Sequence, residues 1–416
     1  MSEKLEWHAV TLEEIAEITG GGTPKREVHA YWNGNIPWAT PTDITNNNKK
    51  VIEKTAEYIT EEGLKNSSAK LLPVGTVLMT SRATIGYCAI NTVPMATNQG
   101  FANFICKNNV YNLFLLYLLT FHKDNFEKLG SGSTFKEVAK STLKSYRVEI
   151  PPLPEQRKIA AILSSVDEAI EKTEAIIEQT EKVKKGLMQQ LLTKGIGHTR
   201  FKKTEIGEIP EEWEVKSISE VAKVVSGGTP SKQVYEYWEN GTIPWATPTD
   251  ITSNDNKYIS TTQLMITESG LRNSSANLLP EGSVLMTSRA TIGSRCINTV
   301  PMATNQGFKS FICDPDVLHN EYLYYLIDKI KDQFIALASG STFLEISKSA
   351  VETFKIPVPP LEEQIEIAKM LSSLDEKLSV EKVKKESLQT IKKGLMQSLL
   401  TGKVRVKVDE DEVVSS

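Results

Sequence analysis

A long internal repeat is the feature that most constrains this chain. The segment INTVPMATNQGF at residues 90–101 is repeated without change at 297–308, and the segment IPWATPTDIT at 36–45 is repeated at 243–252. The period is about half of the 416 residues, which is too long for the stacked unit of a solenoid and suits a duplicated domain. We therefore expect two domains of one fold, each large enough to bury its own hydrophobic core.

Each half is predicted to be a mixed globular domain followed by a long helix. In the first half, a short amphipathic segment at 12–18 ends at Gly and Pro residues at 20–24, and strand-like apolar runs follow at 76–80, 85–90 and 100–106. A single helix is predicted from Tyr111 to Leu129. We expect an α+β fold with two similar mixed α/β domains, joined by two long helices that form a coiled coil and could pair parallel or antiparallel. The predicted boundaries are 1–150 for the first domain, 151–195 for the central helix, 196–357 for the linker and second domain, 358–402 for the C-terminal helix and 403–416 for an acidic tail.

The two helices are predicted from a change of period. After the prolines at 151–154 and 359–360, apolar residues recur in steps of four and three. A sustained spacing of about 3.5 residues is the seam of a coiled coil. The alternative is a surface helix that packs only on its own domain. The positions predicted to pair are Ile159, Leu163, Val166, Ile170, Ile177, Leu187, Leu191, Ile367, Leu371, Leu374, Leu378, Leu388, Leu395 and Leu399.

Antiparallel pairing of these helices would make the chain resemble its own dimer. The two domains would lie at opposite ends of a rod of roughly 58 Å, at 1.5 Å per residue. Proteins with two-fold symmetry match two-fold ligands, of which duplex DNA with inverted half-sites is the commonest. The helices would then set the spacing between the half-sites.

Composition limits the classes of protein that this chain can belong to. The net charge of −4 means that DNA phosphates would have to meet local basic patches. No window approaches the roughly 20 apolar residues of a membrane span, and the N-terminus lacks the order of a signal peptide, so we expect a cytoplasmic protein. The cysteines form no C-x-x-C pair and are predicted to be reduced and buried; they are Cys88, Cys106, Cys296 and Cys313.

Motifs that would indicate catalysis are missing from the sequence. It contains no aromatic-flanked Asn/Asp-Pro-Pro tetrapeptide of the adenine methyltransferases, no G-x-G-x-x-G after a strand and no phosphate-binding G-x-x-x-x-G-K-[ST] loop. No histidine recurs between the halves or stands at metal-ligand spacing. We predict a non-catalytic chain without a metal site. The alternatives are a self-sufficient methyltransferase or nuclease, and a scaffold that binds only proteins.

Several short sequence motifs are typical of one known family. They include GGTP at 21–24, SRATIG at 81–86, PPLPEQ at 151–156 and KKGLMQQLL at 184–192. Together with the order of domain and helix, they resemble the specificity subunit of Type I restriction-modification enzymes. The resemblance implies that each domain is a target recognition domain for half of a bipartite double-stranded DNA sequence. It also implies that the helices form an antiparallel coiled coil with internal pseudo-two-fold symmetry and dock two modification subunits. Restriction subunits would join them, and S-adenosylmethionine, ATP and Mg²⁺ would be carried by these partners and not by this chain.

The two domains are closer copies of each other than is usual in that family. They diverge mainly at 46–62 against 253–269. We therefore expect similar or identical half-sites in inverted orientation, which together make a nearly palindromic, interrupted target. The divergent segment is rich in Asn and Lys in the first copy; it could contact DNA or be a solvated loop.

Candidate DNA contacts are the side chains that read base edges or hold phosphates. Arg82 could grip phosphate or guanine, or it could pair with a carboxylate that fixes its loop. Asn98 could read adenine or satisfy buried main chain. Trp38 is expected in the core, and Asp43 is expected to cap a turn. The candidates are Thr23, Lys25, Arg26, Asn47, Asn48, Lys49, Lys50, Ser81, Arg82, Thr84, Asn98, Gln99, Ser133, Thr134, Thr229, Lys232, Ser288, Arg289, Thr291, Asn305, Gln306, Ser341 and Thr342.

Overall fold

The computed structural model of the chain describes residues 6–46, 49–131, 136–254, 256–340 and 344–408. The chain divides into two compact units, and each unit draws on both halves of the sequence. One unit comprises Met1–Glu174 with Val383–Ser416, and the other comprises Ala175–Lys382. Each unit therefore contains one globular domain, the beginning of the helix that follows it, and the end of the other long helix.

The first globular domain is a mixed α/β structure. Its strands are β1 (His8–Thr11), β2 (Ala16–Gly20), β3 (Trp32–Ala39), β4 (Val51–Ile52), β5 (Glu57–Ile59), β6 (Val77–Thr80), β7 (Cys88–Asn91), β8 (Ala96–Thr97), β9 (Phe101–Cys106) and β10 (Arg147–Ile150). Its helices are α1 (Leu12–Ile15), α2 (Pro41–Thr45), α3 (Glu61–Lys65), α4 (Asn112–Phe121), α5 (Lys123–Leu129) and α6 (Lys140–Ser145), with a 3-10 turn at His29–Tyr31.

The described strands of this domain form small sheets, and their buried apolar side chains form three separate clusters. The largest has the order β2-β9-β6-β7-β4, a second has the order β5-β3-β8, and β1 pairs with β10. The pairs β4–β7 and β3–β8 are parallel, whereas the others are antiparallel. Val77, Phe104 and Phe114 are fully buried where α4 covers the larger sheet.

A long helix and a short hairpin lead to the second domain, and a second long helix follows it. The helix is α7 (Leu153–Lys194), and the hairpin pairs β11 (Phe201–Thr204) with β12 (Gly207–Pro210). The strands of the second domain are β13 (Glu214–Ser217), β14 (Ala222–Ser226), β15 (Ile243–Ala246), β16 (Tyr258–Ile259), β17 (Met265–Ile266), β18 (Val284–Met286), β19 (Arg295–Asn298), β20 (Ala303–Thr304), β21 (Lys309–Cys313) and β22 (Lys355–Val358). Its helices are α8 (Ile218–Val221), α9 (Pro248–Thr252), α10 (Glu268–Arg272), α11 (Asn320–Ala336) and α12 (Lys348–Thr353), and α13 (Leu361–Leu399) follows.

The second domain repeats the sheets of the first. The strand orders β14-β21-β18-β19-β16 and β17-β15-β20, with β13 against β22, match the first domain strand for strand. The prediction of two similar α+β domains, each followed by a long helix, is thus confirmed.

Two local expectations about the first domain were wrong. The amphipathic segment is helical only as far as Ile15, because residues from Ala16 onward pair with β9 as a strand. The predicted single helix after Tyr111 is divided into α4 and α5 at His122, where the backbone leaves helical geometry at ψ 6°. The counterpart α11 runs unbroken through the second domain.

The long helices pair antiparallel in each unit. In the first unit, Asp167 of α7 lies 2.6 Å from Lys392 of α13, and Glu174 lies 2.8 Å from Lys385. Moving forward along α7 therefore means moving backward along α13. In the second unit, Lys184 of α7 pairs with Asp375 of α13 in the same sense. The predicted antiparallel coiled coil is confirmed.

The predicted seam of the helices is shielded from solvent. Every apolar position that was expected to pair is buried or half-buried. The polar seam residues Thr173 and Thr180 are also buried, and their hydroxyls donate to the carbonyls of Ala169 and Ile176 at 2.8 and 2.7 Å. Because both hydroxyls are satisfied within their own helix, they can lie in the seam without an unpaired polar group.

Candidate nucleic-acid interface

The candidate residues of the first domain gather on a cluster of four loops. The loops lie around residues 20–26, 39–41, 80–86 and 97–100. Main-chain hydrogen bonds join them: Gly22 donates to Thr97 at 2.9 Å, Asn98 donates to Ala39 at 2.9 Å, and Ser81 donates to Gly100 at 2.8 Å. We call this set the recognition loops, and the corresponding bonds join the loops of the second domain.

Close packing of backbone explains the glycine-rich start of the cluster. A Cβ placed on Gly21 would lie 2.1 Å from the carbonyl oxygen of Asn98, so only glycine fits there. The indole Nε1 of the fully buried Trp38 donates to the carbonyl of Gly22 at 2.9 Å. Trp38 therefore supports the loop from the core, as the sequence predicted.

Asp43 has the structural role that the sequence predicted. Its carboxylate accepts from the backbone and hydroxyl of Thr40 at 2.7 and 2.6 Å, and Pro41 occupies the first turn of α2. The other oxygen accepts from the backbone of Ala56 at 2.8 Å. Asp43 thus caps the helix and fixes the neighbouring segment.

The predicted Thr23 and Gln99 meet across the recognition loops. The hydroxyl of Thr23 donates to the side-chain oxygen of Gln99, and Thr229 makes the same contact with Gln306 in the second domain. Both glutamines are exposed. Their NH₂ groups make no hydrogen bond to any described residue, which leaves two exposed donors in each domain.

The asparagines beside them are partly used by the fold. The side-chain oxygen of Asn98 accepts from the backbone of Gly100 at 2.8 Å, and Asn305 repeats this with Gly307. This is the main-chain role that the sequence left open. A bidentate contact with adenine needs both the oxygen and the NH₂ group of the amide. Asn98 and Asn305 keep both NH₂ donors and the second lone pair of the side-chain oxygen, so any bidentate contact would share that oxygen with the backbone of Gly100 or Gly307.

The predicted arginines are held by carboxylates. Nε and a terminal nitrogen of Arg82 lie 2.9 and 2.7 Å from Glu137, and Arg289 Nε lies 2.8 Å from Glu345. Nearly half of each arginine side chain is nevertheless exposed, at 46% and 42%. The ion pair fixes the position of each guanidinium and leaves its outer edge open.

The loop that carries Arg82 has an uncommon backbone conformation. Ala83 has φ 61° and its counterpart Ala290 has φ 54°, in the left-handed region that disfavours residues with a Cβ. Ser81 before the arginine is buried, and Thr84 after Ala83 is exposed. Strained backbone that persists in both copies is typical of segments whose shape serves binding.

Arg26 is held by two neighbours in the first loop, although 53% of its side chain is exposed. It pairs with both carboxylate oxygens of Glu57, and its guanidinium carbon lies 3.9 Å from the ring centre of Trp32. The hydrogen bonds that Arg26 donates to Glu57 raise the pKa of Arg26. Lys25 and Lys232 are exposed and lie on the corresponding loops of the two domains.

The two lysines predicted in the divergent segment, Lys49 and Lys50, lie in different surroundings. Lys49 is exposed. The ammonium of Lys50 lies 3.0 Å from Asp167 of α7, and the equivalent Lys257 contacts Ser372 of α13 at 2.7 Å. These two lysines bind a globular domain to a long helix. The candidates Asn47, Asn48, Ser133, Thr134, Ser341 and Thr342 lie outside the described residues.

A buried cluster that the sequence reasoning missed joins each domain to both helices. In the first unit, the Tyr117 hydroxyl donates to Asp167 at 2.6 Å, and Lys392 lies 2.6 Å from the same carboxylate. Burial acts to raise the pKa of Asp167, but hydrogen bonds from Lys392 and Tyr117 hold it below its ordinary value. Tyr325 donates to Asp375 at 2.6 Å in the second unit. The recurrence of these residues at equivalent places in both halves was the available signal.

A second pair of missed carboxylates anchors the chain where it leaves each helix. Glu155 at the start of α7 is 2% exposed and lies 2.8 Å from Arg405, beyond the end of α13. Glu363 at the start of α13 lies 3.0 Å from His198, beyond the end of α7, and accepts from the indole of Trp213 at 2.9 Å. Each helix start thus holds the segment that follows the other helix.

The cysteines are unpaired thiols. Burial raises the pKa of Cys88, Cys106 and Cys313 to about 12 and also raises that of Cys296. Within residues 6–408, apart from the gaps named above, no three His, Cys, Asp or Glu side chains are grouped to hold a metal ion. No helix in the described ranges is long and apolar enough to cross a bilayer.

Comparisons with known proteins identify the class to which this fold and these loops belong. The profile of the Type I restriction modification DNA specificity domain matches twice, at residues 4–182 and 210–390. The chain therefore belongs to the family of Type I restriction-modification specificity subunits, as its sequence motifs predicted. Members of this family are the non-catalytic, DNA-recognising components of their complexes, so the prediction of a non-catalytic DNA-binding chain is also confirmed.

Individual relatives cover nearly the whole chain. The Type I restriction enzyme MjaIX specificity subunit of Methanocaldococcus jannaschii is 30% identical over 97% of this chain and 94% of its own length. The putative MjaX specificity subunit of the same organism is 33% identical over 72% of this chain and 70% of its own. The crystal structure of the S subunit from M. genitalium has a TM-score of 0.59 at 16% identity and covers 96% of this chain and 97% of its own, which shows the shared fold.

Proposed function

We propose that this specificity subunit reads an interrupted, nearly palindromic DNA target, with one inverted half-site for each recognition domain. The observation that carries the proposal is that the Thr–Gln, Asn–Gly and Arg–Glu contacts of the recognition loops recur in both domains. The Thr23–Gln99 contact recurs as Thr229–Gln306. Domains that present the same groups in the same geometry should prefer similar base sequences.

The recognition loops supply both kinds of contact that a DNA reader needs. The exposed edge of Arg82 can bind phosphate or the O6 and N7 atoms of guanine, and the free NH₂ groups of Asn98 and Gln99 can donate to base acceptors. Lys25 and Lys232 supply positive charge at the edges of the loops. A net charge of −4 for the whole chain is compatible with this, because phosphates respond to the local patch.

We further propose that the helices dock two modification subunits and that restriction subunits join the complex. Large apolar side chains are exposed on the long helices, among them Ile176, Val183, Val380, Val383 and Ile391, at 37–65% of their area. Exposed apolar surface of this kind favours binding of a protein partner. S-adenosylmethionine, ATP and Mg²⁺ would be bound by these partners, and the complex would act on DNA in the cytoplasm.

Mapping of methylated adenine tests the target. The subunit is expressed with its modification partners in a host that lacks other adenine methylation, and modified sites are read by single-molecule sequencing. We expect a motif of two similar half-sites in inverted orientation. Two unrelated half-sites would refute the proposal. As a matched control, the second domain is replaced by a copy of the first, which should make the motif fully palindromic and leave its spacing unchanged.

A further inference from the structure

One buried lysine breaks the match between the two sets of recognition loops. Lys309 begins β21, at the position that Ala102 occupies in the first domain, where the cross-strand neighbour is Gly20. Its side chain is only 7% exposed. The ammonium lies 3.3 Å from Glu345 and 3.5 Å from the hydroxyl of Ser288, which precedes Arg289. A lysine is seldom buried unless it is paired, so this position calls for an explanation.

Lys309 changes the surroundings of the arginine on the recognition loop. In the second domain, the two oxygens of Glu345 are divided between Arg289 and Lys309. In the first domain, Arg82 is the sole cation paired with Glu137 among the described residues. Burial acts to raise the pKa of Glu345, but hydrogen bonds from Arg289 and Lys309 hold it below its ordinary value, so it carries its charge.

The difference has a direct consequence for an arginine that must move toward DNA. When Arg82 leaves Glu137, the carboxylate loses its only paired cation. When Arg289 leaves Glu345, Lys309 remains beside the carboxylate and compensates its charge. Removing one partner of a charge pair is unfavourable chiefly because the other charge is left uncompensated. Release of Arg289 should therefore be easier than release of Arg82.

We propose that Lys309 is a positioning residue of the second recognition domain, which neutralises Glu345 and so makes Arg289 available to DNA more readily than Arg82. The proposal rests on the proposed function, in which these arginines contact DNA. It implies that two nearly identical domains bind their half-sites with unequal strength, and that the second domain contributes the larger share through its arginine.

The experiment measures DNA affinity of the full chain assembled with its modification subunits, by fluorescence anisotropy on a duplex that carries the mapped target. Lys309→Met keeps the volume of the side chain and removes its charge. We expect it to weaken binding about fivefold, the size of a coupling within one charged network. In the Glu345→Gln background Arg289 is already released, so Lys309→Met should cause no further loss. An equal loss in both backgrounds would mean that Lys309 acts only through its own charge, and would overturn the positioning role.

Alanine substitutions of the two arginines distinguish failure of this inference from failure of the proposed DNA interface. If Arg289→Ala weakens binding but Lys309→Met does not, the inference fails and the interface stands. If neither Arg82→Ala nor Arg289→Ala alters affinity, the interface itself is refuted. A second test compares the DNA affinities of two carboxylate variants, so it does not require the Lys309→Met variant to fold. Glu137→Gln should tighten binding more than Glu345→Gln, because Arg82 has more to gain from release, and the opposite order would also overturn the proposal.

Discussion

Replacement of Asp167 by Asn tests how the first recognition domain is attached to the helices. The carboxylate is 8% exposed and accepts from Tyr117 at 2.6 Å, with the ammonium groups of Lys392 and Lys50 at 2.6 and 3.0 Å. Breaking a buried ion pair destabilises a protein by about 3–5 kcal/mol. The two lysines are 30% and 21% exposed, so water recovers part of that loss. We expect the free energy of unfolding of the first unit to fall by about 2–3 kcal/mol.

The second unit provides the matched control. Asp375 makes the same contacts with Tyr325 and Lys184, but its side chain is 31% exposed and it pairs with one lysine instead of two. Asp375→Asn should therefore destabilise its unit by only about 1 kcal/mol.

The two units need not unfold together, so a single melting temperature is not sufficient. Native-state hydrogen exchange of the amides in α4 and α11 reports the stability of each unit separately. The reasoning is refuted if the two variants lose equal protection. It is also refuted if Asp167→Asn costs less than about 1 kcal/mol, since the cluster would then contribute no more than an ordinary surface ion pair.

Three further predictions concern the loops and the dependence on pH. Ala83→Gly and Ala290→Gly should each raise the free energy of unfolding by about 0.5 kcal/mol in denaturant titrations, because glycine adopts positive φ without strain; a loss would show that the methyl groups are needed for packing. Trp38→Phe should lower it by about 2 kcal/mol, since the buried bond to Gly22 and part of the core packing are lost; an unchanged value would contradict the supporting role. The lowered pKa of Asp167 means that its stabilisation is complete above the unfolded pKa of about 3.9 and is lost as pH falls through the folded pKa, so Asp167→Asn should flatten the acid side of the stability profile; parallel profiles of variant and parent would refute this.

The architecture could be predicted from the sequence because the apolar residues of the helices are periodic and the pattern of each domain occurs twice. The repeat of text such as IPWATPTDIT identified two domains of one fold, and strand orders in the two domains agree. The seam of the helices was found because a spacing of about 3.5 residues depends only on helix geometry. The spacing did not distinguish antiparallel from parallel pairing, and the antiparallel arrangement was implied by the resemblance to a known family.

The recognition loops were harder to predict because their contacts join distant parts of the chain. Glu137, which holds Arg82, is 55 residues away, and Gln99 is 76 residues from Thr23. No local pattern pairs such residues. Identity between the two copies selected these residues as candidates, but it selected Asp43 in the same way, and Asp43 caps a helix. Duplication preserves residues that fold the domain as well as residues that bind.

Lys50 shows how chemistry alone misplaces a residue. A lysine in an Asn- and Lys-rich loop is a typical phosphate-binding residue, but the ammonium of Lys50 lies against Asp167. Whether Lys50 also contacts DNA stays a prediction. A signal was present in the sequence. Lys50 and Lys257 are the same residue at the same place within segments that differ at most of their positions, at 46–62 and 253–269. A shared residue inside a divergent loop indicates a task common to both domains, which here is attachment to a helix.

The differences between the copies explain why equivalent residues do not have equal importance. In the second domain, Lys257 pairs with Glu321. The first domain has Leu113 at the place of Glu321, so Lys50 turns to Asp167 instead. Asp167 therefore balances two ammonium groups, whereas Asp375 balances one. The identity of a residue in both copies predicts that its contacts recur, but the energy of those contacts depends on neighbours that the duplication did not keep.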